Sequence, residues 1–359
     1  MAEFSHTFPA ARGVQSGRPC YVAMCPLRLI PKIFIFDGQE VPPELRAQRI
    51  LNRTRIPDIV SYLVDNPTDY TLSGITASVD GQVSFEPSTD TGMAQNLGLL
   101  SIPMDAKILI NDGQHRREAI VQAIEQNPEL GYDNIPVLFF IDEGLRRSQQ
   151  MFADLNKHAV RPSDSISTLY DHRDHISELA RVVALEVKIF SRLTEMERSS
   201  ISNRSSKLFT LSAIKNASKT LLIKAKNDPI SKEEQQLAIE YWNEVAANMR
   251  DWQLALEKKV ATCDLREQYV HSHGVMLQSM GQIGANLLFK PRSQWSQTLK
   301  GLQTIDWART NSDWEGRAMH HGRISKARSS VVLTGNYIKQ KLSIPLTPTE
   351  QEYEESLKP

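Results

Sequence analysis

The stretch Ala106–Glu118, AKILINDGQHRRE, decides how this chain is read. An apolar β-type run, Ile108, Leu109 and Ile110, ends in Asn111, Asp112 and Gly113 and passes directly into His115, Arg116 and Arg117. Beyond them Ala119, Ile120, Ala123 and Ile124 recur at the spacing of one helix face, and Asn127-Pro128 closes the element. A second β-type run follows from Ile135 to Asp142. The unit reads strand, tight polar turn, helix, strand.

Such a junction suits an anion. The first N–H groups of a helix have no intrahelical partner, and the helix dipole places partial positive charge there. Gly113 permits close backbone approach and a positive φ. Consecutive helical side chains diverge by about 100°, so at most two of the three basic side chains reach one phosphate. His115 and Arg116 are the expected pair, with Arg117 or Glu118 in support and Gly113 and Gln114 completing the turn. Asp112 has three open roles: helix cap, partner of a metal–phosphate pair, or base. The plainer alternative is a capped helix whose basic residues face solvent.

The segment DGQHRREA resembles the signature of the DGQHR-domain family, best known from the DndB proteins of bacterial DNA phosphorothioation systems. The resemblance includes Gln48-Arg49, Arg55-Ile56-Pro57, the segment Phe152-Ala153-Asp154-Leu155-Asn156-Lys157 and Ser206-Lys207-Leu208-Phe209-Thr210. More distantly, the turn resembles the ParB/sulfiredoxin fold, where a G-x-H-R or G-x-R-R turn at a helix start holds nucleotide phosphates. What this implies is an α+β protein. A ParB/sulfiredoxin-like mixed α/β domain would cover 1–165, a mostly α-helical domain 166–345, and an acidic, unstructured tail 346–359. The resemblance also implies ATP or CTP with Mg²⁺ as cofactor and places Asn156 beside the nucleotide; from the residues alone, Asn156 equally suits a helix cap. Sulfiredoxins need a cysteine just before the His-Arg pair, and Gln114 stands there instead. Sulfinic-acid repair is excluded.

The chain has 359 residues, enough for two ordinary domains, with 40% hydrophobic and 23% charged residues as in soluble globular proteins. Net formal charge is zero, so a nucleic-acid site must come from local asymmetry. The opening MAEFSHTFPAARG lacks a signal-peptide layout, and no stretch approaches the roughly 18 apolar residues of a membrane span. Three cysteines, Cys20, Cys25 and Cys263, make neither a disulfide framework, a zinc site nor an iron–sulfur cluster. A cytoplasmic protein is expected, with no metal ligands of its own.

Taken in order, Tyr21–Met24 and Ile33–Phe36 read as short strands. Pro42-Pro43 introduces a helix over Glu44–Leu51, and Arg46, Arg49, Arg53 and Arg55 either line the central pocket or face solvent. Pro57 starts a helix with Ile59, Tyr62 and Leu63 on its apolar side. Tyr70–Phe85 is strand-like, with Asp80-Gly81 as a hairpin signal, and 86–100 reads as a loop. A helix over Arg146–Leu155 leads to the polar cluster Asn156, His158 and Arg161. One extended helical stripe is expected from Ile176 to Leu193, with further helices over Leu211–Lys224, Lys232–Lys259 and Val275–Phe289. Glycines 281 and 284 suggest close helix packing or a bend. Ser206, Lys207 and Thr210 offer a weak helix-turn-helix pattern; His271 and His273 suit a strand without a third metal ligand.

Between Arg309 and Lys341 the charge balance shifts. Arg309, Arg317, Arg323, Lys326, Arg328, Lys339 and Lys341 face only Asp313 and Glu315, interleaved with Trp307, Trp314, His320 and His321. Cations and short hydroxyls are the material of phosphate-backbone contact. Arg317, Arg323, Lys326 and Arg328 are the expected DNA contacts.

Two kinds of protein follow. One is a binding module, a DNA-binding regulator, as family members are of their own modification genes. Its partners would be promoter DNA, other phosphorothioation proteins and a second copy for a palindrome. The other is an enzyme: a ParB-like nucleoside triphosphatase, or a DNA-nicking enzyme with Asp112 and His115 in catalysis.

Overall fold

The computed structural model describes residues 4–34, 53–141, 150–151, 154–155, 162–225 and 228–357. The chain divides into two compact units, residues 1–160 and 161–359. Mixed sheet dominates the first and helices the second.

The first unit holds strands β1 (Ser5–Gln15) and β2 (Arg18–Pro26) and helices α1 (Ile30–Ile33) and α2 (Ile56–Asp65). Strands β3 (Ile75–Asp80), β4 (Ser84–Pro87), β5 (Leu97–Pro103) and β6 (Lys107–Asp112) follow, then helix α3 (Gln114–Gln126) and strand β7 (Asn134–Ile141). The seven strands form one sheet in the order β4-β5-β1-β2-β7-β3-β6. Only the β3–β7 pair is parallel. Alternation puts Tyr21, Ala23 and Cys25 of β2 opposite Phe139, Val137 and Ile135 of β7, all on one buried face. Ile56, Val60 and Leu63 of α2 and Ala119, Ile120 and Ala123 of α3 belong to the same core. Each large apolar side chain buried there contributes about 1.5–3 kcal/mol.

The central unit is β6, α3 and β7 as expected, and Pro57 lies in the first turn of α2. Several local expectations are corrected. Strand β1 has little apolar periodicity in sequence, yet it sits inside the sheet between β2 and β5. Its turn to β2 uses Ser16 and Gly17, both at positive φ (50° and 74°), the geometry of a tight hairpin. Asp80-Gly81 is not a hairpin: β3 pairs with β6 and β7, whereas β4 pairs with β5. The expected loop at 86–100 contains most of β5. Gly98 there lies so close to β4 that a Cβ would meet Glu86 O at 2.0 Å. Of the strand expected over Ile33–Phe36, Ile33 closes a helical turn, Ile30–Ile33, Phe34 is extended, and residues 35 and 36 lie outside the described residues. The Glu44–Leu51 helix with Arg46 and Arg49, and the cluster Asn156, His158 and Arg161, lie outside the described residues.

The second unit begins with helices α4 (Asp164–Tyr170), α5 (His175–Glu186) and α6 (Lys188–Leu193) and a two-residue parallel pair, β8 (Thr194–Glu195) with β9 (Phe209–Thr210). The expected single stripe is thus broken at Val187, which leaves helical geometry. Helices α7 (Leu211–Leu222), α8 (Lys232–Ala247), α9 (Arg250–Leu256), α10 (Thr262–Gln268), α11 (Gly274–Leu287) and α12 (Arg292–Leu299) follow. The helix expected over 232–259 breaks at Asn248-Met249. The long segment with β8 and β9 between α6 and α7 replaces the three- to four-residue turn of a helix-turn-helix. The small hairpin β10 (Met319–His320) and β11 (Arg323–Ile324) leads to α13 (Arg328–Lys341) and α14 (Pro348–Leu357).

Gly281 and Gly284 of α11 do mark close packing. A Cβ at 281 would lie 2.4 Å from Ala217 O of α7, and one at 284 would lie 2.3 Å from Leu221 Cδ1. Phe190, Phe209, Trp242 and Trp252 form an edge-to-face cluster in this core. His271 lies in a 3₁₀ turn and His273 at the N-cap of α11, so neither is in a strand. His271 is core: Trp252 Nε1 donates to its Nδ1 (3.1 Å), and its Nε2 bonds Asp251 Oδ2 (3.0 Å). Among the described residues, no helix is long and apolar enough to cross a membrane.

The tail is also corrected. Its residues Pro348–Leu357 are helical, because Glu350 and Glu354 find cationic partners in the same unit.

Candidate functional site

Gly113 takes φ 111°, the left-handed turn that delivers β6 into α3. A Cβ there would also meet Ile75 Cγ1 at 2.9 Å, so geometry and space both demand glycine. No side chain caps the N-terminus of α3, and Asp112 does not fill that role. Its carboxylate instead accepts from Arg116 Nη2 at 2.6 Å, one helical turn on.

The two arginines diverge as helical geometry requires. Arg116 also donates to Gly74 O (2.9 Å), which ties the start of α3 to the segment entering β3. Arg117 runs the other way, to Glu118 (3.0 Å), Phe34 O (3.4 Å) and Pro31 O (3.5 Å). Both guanidinium groups therefore hold the fold together around the turn. Gln114 is buried, and among the described residues its Oε1 has no hydrogen-bond partner. His115 is half-buried on the first turn. The structure thus brings Asp112, Gly113, Gln114, His115 and Arg116 to one corner and sends Arg117 to another. Sequence reading gave Asn111 no role; it is fully buried near the end of β6 and accepts from Ser78 Oγ at 2.8 Å. An asparagine closing an apolar strand was the available signal.

In the helical unit the basic stretch separates into two sets. Arg317 bonds both oxygens of Glu354, Lys339 pairs with Glu350 at 2.6 Å, and the rings of Trp307 and Trp314 stack inside the core. These ion pairs lie within the unit, and Arg317, expected among the DNA contacts, is paired with Glu354. The second set is Arg323, Lys326 and Arg328. All three are exposed, and among the described residues none has an ion-pair or hydrogen-bond partner for its side chain. Arg328 opens α13, whose N-terminus no side chain caps.

His273 is held neutral. Burial, with Arg309, His271 and Lys326 nearby, pushes it down to about 4, against the opposing pull of its bond to Arg266 O (2.9 Å).

Fold and site define a two-unit α+β protein, with a strand–glycine–helix turn in one unit and an unneutralised set of cations in the other. The chain belongs to the DndB family, described as DNA-sulfur modification-associated, whose family model matches residues 8–345. No curated protein and no solved structure matches it.

Proposed function

We propose that this chain is a DNA-binding regulator of a DNA sulfur-modification system, acting as a repressor at the promoter of its own modification genes. The observation that carries the reading is the set Arg323, Lys326 and Arg328, unpaired beside the uncapped start of α13. Cations without carboxylate partners and free helix N–H groups are what phosphate oxygens bind. Family membership supplies the system in which such binding would act. A cytoplasmic homodimer reading a palindrome belongs to the same proposal. The test is binding of promoter and unrelated DNA by the purified chain across a salt series. Promoter preference with a steep salt dependence is expected; equal, weak binding of both DNAs overturns the reading.

A second reading keeps a nucleotide, ATP or CTP with Mg²⁺, at a ParB/sulfiredoxin-like turn at the start of α3. Gly113, the uncapped helix and the orphaned Gln114 Oε1 favour it. The orphaned Gln114 Oε1 and the N–H groups that open α3 would make the contacts, with His115 on the same turn. Repeating the DNA titration with each nucleotide tests it: a shift lost in His115→Ala supports this reading, and no shift in the parent chain rejects it.

A further inference from the structure

We propose that a cavity within the helical unit binds a nucleoside phosphate, at a site separate from the α3 turn and sharing Lys326 with the proposed DNA contacts. The cavity measures about 700 Å³ and unites three stretches far apart in sequence: 199–216, 263–278 and 309–331. Arg266, Arg309 and Lys326 line it. None of the three is paired with a carboxylate among the described residues. Arg266 donates to Ser202 O (3.0 Å) and Asn203 O (3.3 Å), and Arg309 to Glu267 O (3.1 Å) and Gly322 O (2.8 Å). Carbonyls fix where these guanidinium groups lie without neutralising them. Asp164 and Glu267 also reach the wall, which leaves one cation in excess. The first turn of α11 begins at the same wall with no side-chain cap, adding partial positive charge.

The volume selects a ligand larger than an inorganic anion and far smaller than duplex DNA; cavities of roughly 300–1,000 Å³ are those that take small organic molecules. The remaining wall matches a nucleoside. Phe209 and Val275 are apolar, while Asn203, Asn216 and Gln278 each offer a carboxamide that can donate and accept. The phosphate end would lie among Arg266, Arg309 and Lys326. This assignment does not rest on DNA binding.

The experiment is calorimetric titration of the full chain, without DNA, with ATP, CTP, AMP and inorganic phosphate. Lys326→Ala and Asn216→Asp are the variants, since both residues are exposed and each change alters the wall's charge. Saturable binding of at least one nucleotide, tighter than inorganic phosphate and weakened about tenfold or more by each variant, is expected. No saturable nucleotide binding, binding no tighter than that of phosphate, or binding lost in His115→Ala but kept in the two variants would each overturn the assignment. The last outcome would instead favour the α3 turn.

Discussion

Arg317 and Glu354 meet as a two-pronged ion pair, with Nη1 on Oε1 at 2.6 Å and Nη2 on Oε2 at 2.8 Å. Their side chains are only 13% and 15% exposed. The pair docks the acidic tail helix onto the basic region, and Nη1 reaches Leu333 O as well. A cation that composition assigns to DNA is thereby part of the fold. Glu354→Ala should lower stability by about 1–3 kcal/mol, because it leaves a largely buried guanidinium without its anion. Thermal unfolding of the variant checks this, and an unchanged melting temperature would show that α14 adds no stability.

Gly284 leaves room for Leu221 and Tyr241, whose atoms would lie 2.3 Å and 2.6 Å from a Cβ. Gly284→Ala should therefore overpack the α7–α11 contact and cost about 1–3 kcal/mol. Denaturant melts read the effect as a lower midpoint with an unchanged slope.

Arg116 joins α3 to Gly74 O and Asp112. Replacing it with alanine removes two charge-assisted hydrogen bonds and should destabilise the sheet unit by about 1.5–3 kcal/mol. Faster amide exchange in β3 and α3, with none in the helical unit, is the expected signature.

Arg323→Ala combined with Arg328→Ala should weaken DNA binding and reduce the slope of log K against log salt by about two. Circular dichroism should be unchanged, as neither side chain has a partner to lose. An unaltered slope would place the DNA elsewhere.

His273 gives the helical unit an acid-sensitive window. Its folded value is about 4, below the usual 6.5. Above 6.5 the folded and unfolded forms are both neutral, and stability is complete. As pH falls from 6.5 to 4, only the unfolded chain takes up the proton, so stability declines; below 4 this group causes no further loss. The decline should be on the order of 3 kcal/mol. His271, also held below 6.5 by burial, acts in the same direction. Melts of His273→Gln across pH 7.5 to 4.5 should show a shallower decline than the parent chain.

Local rules made much of this protein legible. An apolar run closed by Asp112-Gly113 ahead of a period-3.6 pattern could only be strand, turn and helix, and DGQHRREA carried the DndB family with it. The glycines of α11 announced close packing for the same reason, since the missing Cβ is a property of the residue itself. Strand β5 was hidden by Gly98 and by the Pro, Ser, Thr and Gly residues that precede it, and β1 by Pro9 and Gly13, which weaken β propensity without preventing pairing to neighbours already in place.

What the sequence alone determined, then, was the signature turn, the helical half and the family. What only the tertiary structure decided was sheet order and the partner of every charge. Arg317 and Arg323 are the same residue type six positions apart, yet one is neutralised by Glu354 and the other is not. Periodicity acts over a few residues, so it is written in the local sequence. Charge pairing depends on which distant segment packs alongside, and only the folded chain brings those segments together.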